Sequence, residues 1–162
     1  MGLYDDDPDY VPPGDEPRVC EGDGFRVTVP STWGVEQDDV GQRLVARPAP
    51  KSIACVEVVT TVLADAASVE RYAASHLEEL RAAIPGAHVD ERAFTRLAGH
   101  DAYWIDFTFE RGGEALRAWR VLTVERNVAY RITYVAPRAS FAELDAAARA
   151  IVASLELVSA AR

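Results

Sequence analysis

Large apolar and polar side chains alternate from Ala102 to Glu110, and two adjacent glycines, Gly112 and Gly113, follow. A period of two is what a strand with one buried face needs, and paired glycines accept the positive φ angles of a tight hairpin. The chain therefore has to turn back on itself here. Tyr103, Ile105, Phe107 and Phe109 share one face; Trp104, Asp106, Thr108 and Glu110 share the other. A two-residue turn pairs Arg111 with Glu114, Ile105 with Arg120 and Asp106 with Trp119, and makes Trp104 a diagonal neighbour of Trp119. A second reversal at Glu125-Arg126-Asn127 completes an antiparallel meander from Gly99 to Ala136. Asn tolerates the left-handed conformation, so the preferred reading is a three-residue loop closed by Asn127 over a two-residue turn lacking Gly. That register sets Leu122, Tyr130, Ile132 and Tyr134 beside Phe107 on one continuous apolar face. A slip of one residue would carry the last strand's aromatics to the other side.

Around this meander the chain supplies further strands and two helices. Phe25 to Val29 alternates and ends at Pro30, and Ser31-Thr32-Trp33-Gly34 reads as a turn whose Trp33 closes the end of the core. Gln42 to Arg47 and Ile53 to Leu63 read as strands separated by Pro48-Ala49-Pro50, the second long and apolar enough for a central position. Asp65 to Ile84 reads as a helix: Val69, Tyr72, Ala73, His76, Leu77, Leu80 and Ile84 recur at intervals of three and four, Asp65 or Ser68 can cap it, and Pro85-Gly86 ends it. His88 to Leu97 returns as a strand. Ser140 with Glu143 forms a capping-box pattern for a last helix carrying Phe141, Leu144, Ile151, Val152 and Leu155, which should lie across the sheet. The expected fold class is α+β, an antiparallel sheet of about six to seven strands packed against two main helices, in one domain over residues 25–158.

Charge is distributed unevenly. Asp5, Asp6, Asp7, Asp9, Asp15, Glu16, Glu21 and Asp23 stand against Arg18 alone, so residues 1–24 hold most of the net charge of −9. With Pro8, Pro12, Pro13 and Pro17 interspersed, this segment reads as a disordered or loosely docked acidic tail, and residues 159–162 as a short C-terminal tail. An acidic chain with one lysine, Lys51, and no basic stripe is unsuited to nucleic acid, because phosphate neutralisation supplies most of that affinity. No apolar run reaches membrane-span length, and the N-terminus is acidic where a signal peptide is basic and then apolar. The expectation is a soluble cytoplasmic protein without direct membrane insertion.

The groups that carry chemistry are scattered. His76, His88 and His100 lie on three elements, and His76, on the apolar side of its helix, reads as a packing residue rather than a ligand. His100 beside Asp101 could form a base with an orienting carboxylate, but the pair sits at a strand start where polar turn residues are ordinary. Cys20 and Cys55 are too few and too distant for a disulfide framework or a metal site, and Cys55 reads as a small core residue. Gly22-Asp23-Gly24 lacks the Lys and the Ser or Thr of a phosphate loop. Neither catalytic residues, nor a metal site, nor a cofactor is expected, and the chain does not read as an enzyme. The expected partner surface is instead the second sheet face, where this register gathers Trp104, Asp106, Arg117, Trp119, Thr123, Arg131 and Thr133. Large aromatics interleaved with Arg anchor protein interfaces, with a second copy of the chain among the partners such a face admits. The competing arrangement is a helix laid over the same face.

Five short patterns in this order carry a resemblance: Phe25-Arg-Val-Thr-Val-Pro with Trp33, Ser68-Val-Glu-Arg-Tyr-Ala, Leu97-Ala-Gly-His-Asp-Ala, Ala129-Tyr-Arg-Ile-Thr-Tyr, and Ile151-Val-Ala-Ser-Leu. From Phe25 to Leu157 the chain resembles the PsbP/DcrB-like superfamily. That resemblance implies a binding module with an antiparallel sheet packed against helices. Within it the Eag-type chaperones of type VI secretion, which shield the transmembrane segments of effectors, are similar in size. They commonly carry an Asp-Arg pair after the Pro-x-x-Trp turn, where this chain has Gly34-Val-Glu-Gln-Asp-Asp. The function implied is an adaptor or chaperone for another protein, with a small-ligand-binding protein or a subunit of a larger assembly as the alternatives.

Overall fold

The computed structural model describes residues 10–11, 14 and 16–158. The chain runs β1 (Tyr10–Val11), β2 (Arg18–Gly22), β3 (Phe25–Val29), β4 (Gly34–Gln37), β5 (Arg43–Arg47), β6 (Cys55–Val62), α1 (Val69–Ala83), β7 (His88–Leu97), β8 (His100–Arg111), β9 (Glu114–Glu125), β10 (Val128–Pro137), α2 (Phe141–Ala153) and β11 (Glu156–Leu157). The fold is α+β, as the alternation and the two helical stripes predict. An eight-stranded antiparallel sheet has the order β1-β4-β5-β6-β10-β9-β8-β7, and a small sheet has the order β11-β3-β2. The apolar strand β6 sits inside the large sheet, with Val56, Val58 and Thr60 buried on one face and Cys55, Glu57 and Val59 half-buried on the other.

Four elements, β1, β2, β4 and β11, lie where the sequence suggested no strand. β4 continues from the Trp33 turn, and Gly34 pairs with Arg47 and Val35 with Ala46. β2 occupies part of the segment read as tail, pairing Arg18 with Val29 and Gly22 with Phe25. Arg18 also donates from Nη2 to the Trp33 carbonyl, which ties β2 to the core. Half of the acidic, proline-rich segment, and all of the C-terminal tail at 159–162, lie outside the described residues.

The first hairpin has the predicted register: Arg111 opposes Glu114, Ile105 opposes Arg120 and Asp106 opposes Trp119. The second does not. Val128 opposes Glu125, so Arg126 and Asn127 form a two-residue turn, and Arg126 rather than Asn127 takes the positive φ, 59°. Tyr130 therefore opposes Thr123, and Tyr134 opposes Trp119. With a side-chain period of two, this one-residue difference moves Tyr130, Ile132 and Tyr134 to the Trp119 face and sends Arg131 and Thr133 to the Phe107 face.

The two faces thus build two cores. Trp119, Val121, Tyr130, Ile132 and Tyr134 join Leu44, Val56 and Val58 beneath α2 and the small sheet, which contribute Phe141, Ala148, Ile151, Phe25, Val27 and Val29. On the other face Ile105, Phe107, Phe109, Leu116, Ala118 and Leu122 pack against Ala73, Leu77 and Leu80 of α1. Ser68 caps α1 as expected, its Oγ accepting from the Arg71 amide at 3.2 Å. The capping box expected at Ser140 is not formed: its side chain makes no cap bond and turns back to the Pro137 carbonyl at 3.4 Å. Among the described residues no helix is long and apolar enough to cross a membrane.

Candidate functional site

The face expected to bind a partner is occupied by α2. Trp119 is fully buried, stacks on Trp104 at 4.9 Å between ring centroids, and donates from Nε1 to Asp145 Oδ1 at 2.8 Å. Asp106, also buried, accepts both arms of the Arg117 guanidinium, at 3.2 and 2.8 Å, and Arg117 lies 4.4 Å over the Phe141 ring. The Arg149 guanidinium of α2 covers Trp104 at 4.9 Å. Of the residues singled out from sequence, Trp104, Asp106, Arg117 and Trp119 come together here, and their contacts are spent within the fold. Arg131 does not join them, because the shorter turn places it on the opposite face. His100 is likewise engaged locally: its Nδ1 lies 3.0 Å from the Ala98 carbonyl, and Asp101 pairs with Arg96 at 2.7 Å.

The opposite face is covered only in part. α1 lies over β8 and β9, and beside it the sheet from β4 to β8 forms the floor of an open trough of about 750 Å³. This exceeds the hollows beside Asp106, about 420 Å³, and Trp104, about 370 Å³. Phe107, Phe109, Leu116, Ala118 and Val135 line it, with Ile84 at the end of α1 and the exposed Ile53 at the rim. Cys55 lies half-buried in its wall rather than in the core, and burial raises its thiol pKa.

Around these apolar residues stand five cationic side chains, Arg43, Arg47, Lys51, Arg111 and Arg120, against three carboxylates, Glu36, Glu57 and Glu114. A positive trough on a chain of net charge −9 is a local reversal of sign. Its centre is an arginine-rich stretch across β5, β6, β10 and β9. Glu57 accepts from Arg43 at 2.7 Å and lies 4.0 Å from Arg131. Arg120 donates from Nε to Thr133 Oγ1 at 2.8 Å and from Nη1 to His76 Nε2 at 2.9 Å. His76 must be neutral to accept this bond. Its burial, with Arg120 and Arg131 nearby, lowers its pKa from 6.5 to about 4. Desolvation, reinforced by Arg131, likewise pulls Arg120 down to about 10, still charged at neutral pH.

Arg120 is not among the site residues that the sequence pattern singles out. The signal was there: in β9, Leu116, Ala118, Arg120 and Leu122 occupy one face, and a single arginine interrupts an otherwise apolar row. A charge at a buried-face position needs a partner or a function. Arg43 and Glu57 carried no such mark, and Arg131 was assigned to the other face, since only the order and register of the strands bring the three together.

No family model matches the sequence, and no curated protein matches it either. Solved structures do. Cyanobacterial PsbP (CyanoP) from Synechocystis sp. PCC 6803 superposes with a TM-score of 0.66 at 11% identity, over 88% of this chain and 92% of that one. The fold is PsbP-like. The Saccharomyces cerevisiae Ran-binding protein Mog1p is similar at a TM-score of 0.56 and 10% identity, over 88% and 96% of the two chains. A protein from Bacteroides thetaiotaomicron matches at 0.63 and 15% identity over 91% of this chain, which spans only 50% of that protein's length. At these identities the likeness shows the fold alone.

Proposed function

We propose that this protein is a non-enzymatic binding module, an adaptor or chaperone, which docks an apolar segment of net negative charge from a partner protein in the trough beside α1. The observation that carries this reading is the apolar floor ringed by more cations than anions on a strongly acidic chain. Such a surface attracts an acidic partner, and a second copy set trough to trough against it would meet like charge. Support also comes from a protein of the same fold that is named for binding another protein, the Ran-binding Mog1p. A finer reading follows the resemblance to secretion chaperones: the docked segment would be one that the partner keeps out of water until delivery.

The test begins with a tagged copy recovered from its native host, and identification of the protein that accompanies it. Binding is then rebuilt from purified components and measured for Ile53→Asp and Arg111→Glu, two exposed rim substitutions that leave the core intact. Loss of binding at an unchanged melting temperature is the expected result. A partner that binds both variants as well as the natural chain, or self-association alone, would overturn the reading.

A further inference from the structure

The trough holds a cation that makes no ion pair in the fold, Glu57 acting on it only from beyond contact distance. Arg120 is largely buried by α1 and its neighbouring strands, and among the described residues no carboxylate lies within ion-pair distance of it. Glu57, the carboxylate of this stretch, is engaged by Arg43 and shared with Arg131, whose buried Nε has no hydrogen-bond partner among the described residues. Two guanidinium groups thus share one glutamate, and Arg120 stands outside the pair. The groups that face Arg120 are otherwise uncharged: Thr133 from β10, and His76 with the Tyr72 ring from α1. Both bonds that Arg120 makes are to neutral acceptors, which fix the plane of the guanidinium and use two of its five N–H donors. Leaving a desolvated cation unpaired is costly, and a held guanidinium presenting free donors toward an open trough is a prepared anion receptor.

We propose that Arg120 receives the carboxylate of an acidic side chain in the docked segment, an Asp or Glu flanked by apolar residues that lie along Phe107, Leu116 and Val135. The inference rests on the docking reading given above. Beside Glu57, the guanidinium groups of Arg43, Arg131 and Arg120 leave an excess of positive charge that an added carboxylate reduces. The trough's open side and its volume suit a length of chain rather than a lone anion. Arg120 is a recognition residue here, and His76 and Thr133 position it.

The experiment selects random dodecapeptides displayed on phage against the immobilised full chain. The leading peptide is then synthesised with its acidic residue intact and as the amide. Expected are sequences with an Asp or Glu between apolar residues. Replacing that residue by Asn or Gln, or Arg120→Met, should each weaken binding about tenfold or more, the two together should cost no more than either, and Arg120→Lys should restore part. The peptide substitution keeps the test valid should Arg120→Met fail to fold. Peptides that bind equally well as acid and amide, yet are lost with Ile53→Asp, overturn the carboxylate assignment and leave the docking reading standing. Peptides indifferent to Ile53→Asp overturn both. Dodecanoate serves as a further probe: if it binds through Arg120 while no acidic peptide does, the receptor is for a small amphiphile and the proposal fails.

Discussion

Trp119 illustrates how a residue's environment decides its role. An exposed tryptophan beside arginines would serve an interface, and its loss would spare the fold. Here it is fully buried between Trp104 and Tyr134, with its indole N–H bonded to Asp145. Trp119→Ala should therefore destabilise the protein by about 3–5 kcal/mol, from lost apolar transfer and the cavity left behind. Chemical denaturation measures this; a cost under about 1 kcal/mol would mean that α2 does not seal the face. His76 makes a second residue-scale prediction. Its pKa near 4 when folded, against 6.5 ordinarily, means that between those values the unfolded chain takes up a proton that the folded chain refuses. Stability is then lost as pH falls from 6.5 to 4, by roughly 3 kcal/mol at most from this group, and no further below. His76→Gln keeps an acceptor for Arg120 without the titration. Its melting temperature should fall less than that of the natural chain between pH 7 and 4.5; parallel curves would rule the effect out.

At the scale of elements the decisive feature is the turn between β9 and β10. Arg126 adopts a φ of 59°, a left-handed conformation that costs a side chain with a Cβ about 1–2 kcal/mol. Arg126→Gly relieves that strain and gives back part of the gain as unfolded-state entropy. A net stabilisation of roughly 0.5–1 kcal/mol is expected, seen as a higher denaturation midpoint. A lower midpoint would mean that the Arg126 side chain contributes more than its backbone costs. Helix α2 depends little on its expected cap. Without a side-chain bond from Ser140, it is held by burial of Phe141, Ala148 and Ile151 and by the Tyr134 hydroxyl, which donates to the Phe141 carbonyl at 2.7 Å. Packing of an apolar stripe supplies most of a helix's stability in a folded protein, so a weak cap is tolerated.

For the whole molecule, the consequence is a division of labour between the two faces of one sheet. The face under α2 is closed and apolar; the face beside α1 is left partly open and carries the excess of arginine. Because attraction between exposed charges is screened over about 8 Å at physiological ionic strength, docking that relies on this trough must weaken with salt. The dissociation constant of the reconstituted complex should rise severalfold between 50 and 500 mM sodium chloride, mostly through slower association. A constant unaffected by salt would mean that the apolar floor alone holds the partner.

The sequence by itself determined the α+β class, the positions of the two helices, the central place of β6 and the register of the β8–β9 hairpin. These follow from local rules: periodicities of two and of three to four, caps, and two glycines whose conformational freedom admits one turn. Short β4 and β2 escaped notice because Gly34–Gln37 and Arg18–Gly22 are too brief and too polar to show a period without the strands they pair with. Which face lay open was a matter for the tertiary structure. A turn one residue shorter than expected inverts every side chain of β10, and the local preference of Asn127 points to the longer loop that the fold does not adopt. The choice is made by the cores: Tyr130, Ile132 and Tyr134 gain burial under α2, while Arg131 and Thr133 gain polar company beside α1. The same inversion assembles Arg43, Glu57, Arg131 and Arg120 from four strands into one site that no stretch of sequence contains.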